Sequence, residues 1–228
     1  MIVFIDNEHV SKYTLPSGEW LLANRTRLKY RLEDITGDQC LLVRYTHITP
    51  ALLRELKVRA VFVSGNGANP DEYTPAEQAG LRAVFEAKAW PTFAFCGGFQ
   101  VMAETYGAAL EPIGPLASGE VDPYPDFASG MKKELGYEPL QITKSHPLLA
   151  GLGEAPIMRH AHSWELKDVP DGFDVYAKTD LSPIQLIIHQ ELPLVGTQFH
   201  PEYYTDEHLA GRILIENFCK MAKLLPEE

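Results

Sequence analysis

Phe93-Ala94-Phe95-Cys96-Gly97-Gly98-Phe99-Gln100 runs without a break from an apolar strand pattern, through a cysteine and two glycines, into a helical pattern. A strand that turns sharply into a helix lifts the residue at the bend above the sheet edge, and the flanking residues are small enough for such a bend. The helix behind it aims free N–H groups and a partial positive charge at the sulfur, which favours thiolate. The segment is a nucleophile elbow, and it sets the local unit as strand, turn and helix.

Outward from the elbow, short β-branched or aromatic runs alternate with helical patterns through the first half, as in βαβ units that build a parallel sheet. Strands are expected over Ile2 to Ile5, Leu41 to Tyr45, Ala60 to Val63 and Thr92 to Phe95. Between the first two, Leu21, Leu28, Leu32 and Ile35 fall on one helical face. Thr74-Pro75 reads as a cap and first helical position, opening a helix through Leu81, Val84 and Phe85 to about Lys88. From Glu111 to Pro139 the periodicity fails and Gly, Pro and acidic residues accumulate, which predicts a long surface excursion. Phe173 to Lys178, Ile184 to His189 and Leu194 to Phe199 then read as strands with little room for helices between them. A last helix, opened by Thr205 or Asp206, carries Leu209, Ile213, Phe218 and Met221. The expected fold is α/β: a mainly parallel central sheet flanked by helices in flavodoxin-like layers, with an antiparallel extension in the second half, forming a single domain over residues 1–228.

The 228 residues are 45% apolar, enough to bury one sizeable domain. Twenty Lys and Arg against thirty-one Asp and Glu leave a net charge of −11, which repels phosphate backbones and anionic lipid, so neither nucleic acid nor a membrane is an expected partner. No apolar run approaches the roughly 20 residues of a membrane span. Met1-Ile2-Val3-Phe4-Ile5-Asp6 lacks the basic start of a signal peptide, and the protein is expected in the cytoplasm. Cys40, Cys96 and Cys219 are odd in number and far apart, which predicts free thiols.

A thiol nucleophile needs a base. Val195-Gly196-Thr197-Gln198-Phe199-His200-Pro201-Glu202 ends an apolar run on a histidine, and Pro201 bends the chain so that Glu202 folds back to orient the imidazole. Val61-Phe62-Val63-Ser64-Gly65-Asn66-Gly67-Ala68-Asn69-Pro70 is a strand entering a glycine-rich loop. In a parallel sheet this loop opens on the same edge as Cys96, where its N–H groups can complete an oxyanion hole with that of Gly97.

Together these segments resemble the class I (triad) glutamine amidotransferase family, whose motifs are a Gly-x-Cys-x-Gly-x-Gln elbow, a Gln-Phe-His-Pro-Glu segment about a hundred residues on, and an upstream Ser-x-Gly-Pro-Gly-like loop. They stand here as Ala94 to Gln100, Gln198 to Glu202 and Ser64 to Pro70, with lesser matches at Ile5-Asp6-Asn7, His146 to Leu152 and His162-Ser163. The resemblance implies that Cys96 is the nucleophile, His200 the general base and acid, and Glu202 the orienting carboxylate. It further implies that Gly97, Asn66 and Gly67 stand at the oxyanion site and that Gln100, His162, Ser163 and Trp164 line the substrate pocket. The substrate implied is glutamine or another γ-glutamyl compound, split through a γ-glutamyl thioester with no cofactor.

Two positions depart from the family pattern. Ala94 replaces a glycine, a change that a turn absorbs, and Asn66 replaces a glycine of the loop. Asn tolerates positive φ better than other non-glycine residues. His160 and His162 form a His-x-His pair without a third ligand nearby in sequence, and are read as structural, as are Cys40 and Cys219; no metal is expected. Three functions stand side by side: an amidotransferase subunit making ammonia for a separate synthase, a stand-alone γ-glutamyl hydrolase with the same triad, and a regulatory pseudoenzyme, which the intact Cys96, His200 and Glu202 disfavour.

Overall fold

Every residue of strand β1 (Ile2–Asp6) is buried. Ile2 and Phe4 join one core while Val3 and Ile5 join another, as befits a central strand covered on both faces. The computed structural model describes residues 1–225. After β1 come the short helix α1 (Val10–Tyr13), α2 (Gly18–Thr36), β2 (Cys40–Arg44), α3 (Pro50–Glu55), β3 (Val61–Val63), α4 (Pro75–Glu86), β4 (Thr92–Phe95) and α5 (Gly97–Thr105). The second half holds β5 (Leu110–Pro112), β6 (Glu134–Pro139), β7 (Gln141–Ile142), β8 (Ile157–His162), β9 (Trp164–Leu166), β10 (Phe173–Lys178), β11 (Leu186–His189), β12 (Leu194–Thr197) and α6 (Ala210–Met221).

The main sheet has eight strands in the order β2-β1-β3-β4-β12-β11-β10-β7. The first five are parallel to their neighbours, and β11, β10 and β7 continue antiparallel. This is the expected mainly parallel α/β sheet with an antiparallel extension. The strand Leu194–Thr197 belongs to both parts: it is antiparallel to β11 but parallel to β4, with Thr197 opposite Phe95. On one face Phe62, Phe93 and Phe95 pack with Leu28 and Leu32 of α2 and Phe218 of α6, whose ring lies 5.0 Å from that of Phe93. On the other, Val61, Val63 and Ala94 meet Leu81 and Phe85 of α4 and Phe99 and Met102 of α5. Helix α4 opens on a capping box, Thr74 with Glu77, and a proline in the first turn.

Several elements differ from expectation. The stretch from Glu111 to Pro139 is not loop throughout. Its first residues pair antiparallel with β9 and its last six with β8, building two small separate sheets. Helix α3 forms at Thr49-Pro50, where Thr49 caps the Leu52 amide. Helix α6 starts only at Ala210, and Leu209 lies outside the core at 45% exposure. Among the described residues no helix is long and apolar enough to cross a membrane.

Candidate active site

The register of the parallel strands brings four chain segments to one sheet edge: Asp6 to Glu8 at the end of β1, Ser64 to Pro70 after β3, Cys96 after β4 and Gln198 to Glu202 after β12. Cys96 has φ 43° and ψ −108°, an unfavoured left-handed backbone that a sharp strand-to-helix turn imposes. Its amide donates to the Thr197 carbonyl at 2.7 Å, tying the bend to β12. Helix α5 can start so close to the sheet because residue 98 has no side chain: a Cβ there would stand 2.7 Å from Val63 Cγ1 and 2.9 Å from the Ser64 carbonyl oxygen.

His200 is held by its own amide, which donates to the Arg159 carbonyl of β8 at 2.7 Å. Its Nδ1 lies 2.8 Å from Glu202 Oε1, and both residues are buried. Burial opposes the imidazolium, but Glu202 and the Cys96 sulfur outweigh it and push the His200 pKa up to about 10. Gly65 is the spacer between the two catalytic candidates, since a Cβ there would come within 2.6 Å of His200 Cε1 and 3.1 Å of Cys96 Cβ. Pro201 is gripped in turn by α6: a Cβ on Gly211 would meet the Pro201 carbonyl oxygen at 2.2 Å.

The loop after β3 differs from the sequence expectation in a specific way. The Gly67 amide donates to Glu8 Oε2 at 2.7 Å and the Ala68 amide to Glu8 Oε1 at 3.2 Å, so Gly67 is committed to a structural bond and not to an oxyanion. Asn66 does not occupy positive φ. Its side chain instead braces the loop, with Nδ2 donating to the Ala68 carbonyl at 2.8 Å and to the Tyr73 hydroxyl at 2.9 Å. Its Oδ1 packs on Gly97, where a Cβ would overlap it at 1.4 Å. Among the described residues the backbone amides of Asn66 and Gly97 carry no hydrogen bond, so both are free to donate to a ligand beside Cys96.

Beneath the loop Arg25 of α2, 3% exposed, donates to Asp6 Oδ1 at 2.8 Å and to the Gly65 carbonyl at 2.9 Å, and lies 3.7 Å from Glu8. Burial raises the Glu8 pKa, against the lowering effect of the Gly67 amide and Arg25. Glu8 and Arg25 sit at this sheet edge without any sequence motif to flag them; a charged residue inside an amphipathic helix, such as Arg25, reads equally well as surface. Gln198 was visible only as part of its motif. It shares the strand-end alternation of His200, and its Nε2 donates to Cys96 Sγ at 3.5 Å while Gln100 donates to its Oε1 at 3.1 Å.

Ser163, Trp164 and Gln100 line a narrow recess of about 60 Å³ beside Cys96. His162 also borders it, but both nitrogens of its ring are engaged elsewhere, with Nδ1 3.0 Å from the Trp164 carbonyl and Nε2 2.7 Å from Glu134. A second lobe of about 350 Å³, lined by His200, opens between α2 and β8. The His160/His162 pair also acquires a third potential ligand, Glu134, because β6 and β8 place Glu134 opposite His162. The pairing is non-local, which is why spacing alone did not disclose it.

The model of the glutamine amidotransferase class-I family matches residues 26–221. The chain belongs to that family. Among its relatives, a glutamine-hydrolyzing GMP synthase subunit of Methanopyrus kandleri is 33% identical over 131 residues, covering 58% of this chain and 60% of that protein. The corresponding GMP synthase subunit of Pyrococcus abyssi is 30% identical with the same coverage. The chain thus spans about 60% of the length of these relatives. Two solved structures share the fold: a Thermoplasma acidophilum protein provisionally assigned as a GMP synthase subunit, with TM-score 0.72, 20% identity and coverage of 98% and 94%, and a glutamine amido transferase of Methylobacillus flagellatus, with TM-score 0.65, 15% identity and coverage of 100% and 96%. In this member of the class-I family the segments ending on Cys96 and leading to His200 follow neighbouring parallel strands.

Proposed function

We propose that this amidotransferase hydrolyses the γ-amide of glutamine and that Cys96, His200 and Glu202 are its triad. The observation that carries the reading is the Glu202 carboxylate 2.8 Å from His200 Nδ1, with the other side of the ring turned to the elbow cysteine. The sulfur attacks the amide carbon, and the amides of Asn66 and Gly97 receive the oxyanion. His200 gives its proton to the departing nitrogen, so ammonia leaves and a γ-glutamyl thioester remains. Water then attacks the thioester as His200 takes its proton, releasing glutamate and the thiol. Gln198 donates to the sulfur and is itself held by Gln100. The partner proposed for the ammonia is a separate synthase subunit, because the relatives named above are themselves subunits of a glutamine-hydrolysing synthase.

A second reading, hydrolysis of a larger γ-glutamyl amide or peptide, is favoured by the 350 Å³ lobe on the His200 side. That is where a leaving amine receives its proton, and ammonia needs far less room. Steady-state hydrolysis of glutamine and of γ-glutamyl peptides, with and without a co-purified partner, separates the two. The glutaminase reading expects kcat/KM to favour glutamine, His200→Ala to abolish turnover, and Glu202→Gln to retain part of it. Full turnover in His200→Ala rejects the triad, and brisk partner-free cleavage of a γ-glutamyl peptide selects the second reading.

A further inference from the structure

Behind the recess, strand β8 turns His160 and His162 away from Cys96 and into a buried polar cluster with Glu134 of β6 and Gln185. Its chemistry is incomplete. His162 Nδ1 faces the Trp164 carbonyl at 3.0 Å; a carbonyl only accepts, so Nδ1 carries a proton, and a ring with that single proton presents a lone pair at Nε2. That lone pair points at a Glu134 carboxylate oxygen 2.7 Å away, with Gln185 Nε2 at a longer 3.4 Å. The contact is repulsive unless something positive sits there. His160, 0% exposed, lies with Nδ1 3.5 Å from the same oxygen, and neither of its ring nitrogens has a hydrogen-bond partner. Gln185 Nε2 donates to Glu134 Oε2 at 2.5 Å, but its own Oε1 is buried and unpaired.

A proton on His162 Nε2 would relieve one of these contacts and leave both ring nitrogens of the buried His160 without a partner. A metal ion answers more of them. The donor atoms of Glu134, His160 and His162 all lie within 4.8 Å of one another. Ligands about 2.0–2.2 Å from a tetrahedral zinc ion lie about 3.4 Å apart, between the 2.7 Å and 3.5 Å seen here. The Trp164 carbonyl already supplies the outer hydrogen bond that fixes a metal-binding tautomer. Two imidazoles and one carboxylate suit zinc or its transition-metal neighbours, and not calcium or magnesium, which prefer oxygen.

We propose that Glu134, His160 and His162 bind one zinc-type divalent cation, which pins the β6–β8 hairpin behind the active-site recess. The carbonyl of Ala161, the residue between the two histidines, lies 3.9 Å from Cys96 Sγ, so the ion would steady the wall of that recess without touching substrate. The site is separate from Cys96 and His200, and the inference stands whether or not the glutaminase reading does.

The test uses the full chain carrying Cys96→Ala, so that the elbow thiol contributes no metal binding. Stripped with EDTA and titrated with Co²⁺, it is expected to show visible d–d absorption saturating near one equivalent, and Zn²⁺ is expected to displace the Co²⁺ and raise Tm. His160→Met preserves the Glu134–His162 contact and the side-chain bulk, and is expected to weaken Co²⁺ binding at least a hundredfold; Glu134→Gln is the second variant. Absence of a Co²⁺ spectrum together with an unchanged Tm in Zn²⁺ overturns the site and leaves a protonated His162 in its place. A spectrum that survives in whichever of the two variants folds also overturns it.

Discussion

A single methyl group at position 65 would reach within 2.6 Å of His200 Cε1, closer than any real Cβ contact, so the distance between nucleophile and base is set by the absence of a side chain. Gly65→Ala is expected to push the imidazole off its line to the sulfur. A displacement of about 1 Å typically costs on the order of 10²-fold in rate, so kcat should fall by about that much with Tm lowered only modestly; an unchanged kcat contradicts the placement of His200. The charge on His200 gives a second expectation. Despite burial, Glu202 and the Cys96 sulfur raise its pKa from 6.5 to about 10. A histidine whose pKa rises on folding holds its proton more tightly in the folded chain, so its stabilisation is complete below pH 6.5 and is lost as the pH climbs towards 10. Cys96→Ala removes the sulfur's share, and an NMR titration of the His200 ring should show a lower pKa than in the wild type. An equal or higher value contradicts the contact.

At the scale of elements, the elbow depends on α5 pressing onto β3 and β4. Gly98→Ala would drive a Cβ against Val63 Cγ1 at 2.7 Å and the Ser64 carbonyl oxygen at 2.9 Å. Overpacking of this kind costs about 1–3 kcal/mol, or roughly 2–12 °C in Tm for a chain of this size; a thermal melt that does not move would show that the helix has room to shift. The elements that the sequence disclosed are those with local signals. Strands β1 and β4 are short apolar runs bounded by turn residues, and Thr74-Pro75-Ala76-Glu77 spells out the start of α4. Strand β6 has no such signal: Glu134 to Pro139 is half-buried or exposed throughout, contains Gly136 at φ 119°, and ends on a proline. It forms because β8 lies opposite, and that partner is well separated along the chain. The same non-locality hid Glu134 from the His160/His162 pair and Glu8 from the loop whose amides it holds. Cys96, His200 and Glu202 were legible because they stand just beyond the ends of two apolar strands, β4 and β12.

At the scale of the whole molecule, parallel pairing of β4 with β12 ends both strands level, with Phe95 opposite Thr197, and this delivers a cysteine and a histidine from distant parts of the chain to one edge. The other two thiols have no such setting. Cys40 and Cys219 are buried in the core between sheet and helices, and burial pushes both pKa values up to about 12, so neither supplies thiolate near neutral pH. Reaction with a glutamine-like diazoketone, followed by peptide mapping, therefore tests most directly whether this edge is a γ-amide hydrolase site. The expected result is a single adduct on Cys96, formed more slowly in the presence of glutamine and accompanied by loss of glutamine hydrolysis. Label found chiefly on Cys40 or Cys219, or glutamine hydrolysis that persists after Cys96 is fully modified, would contradict it.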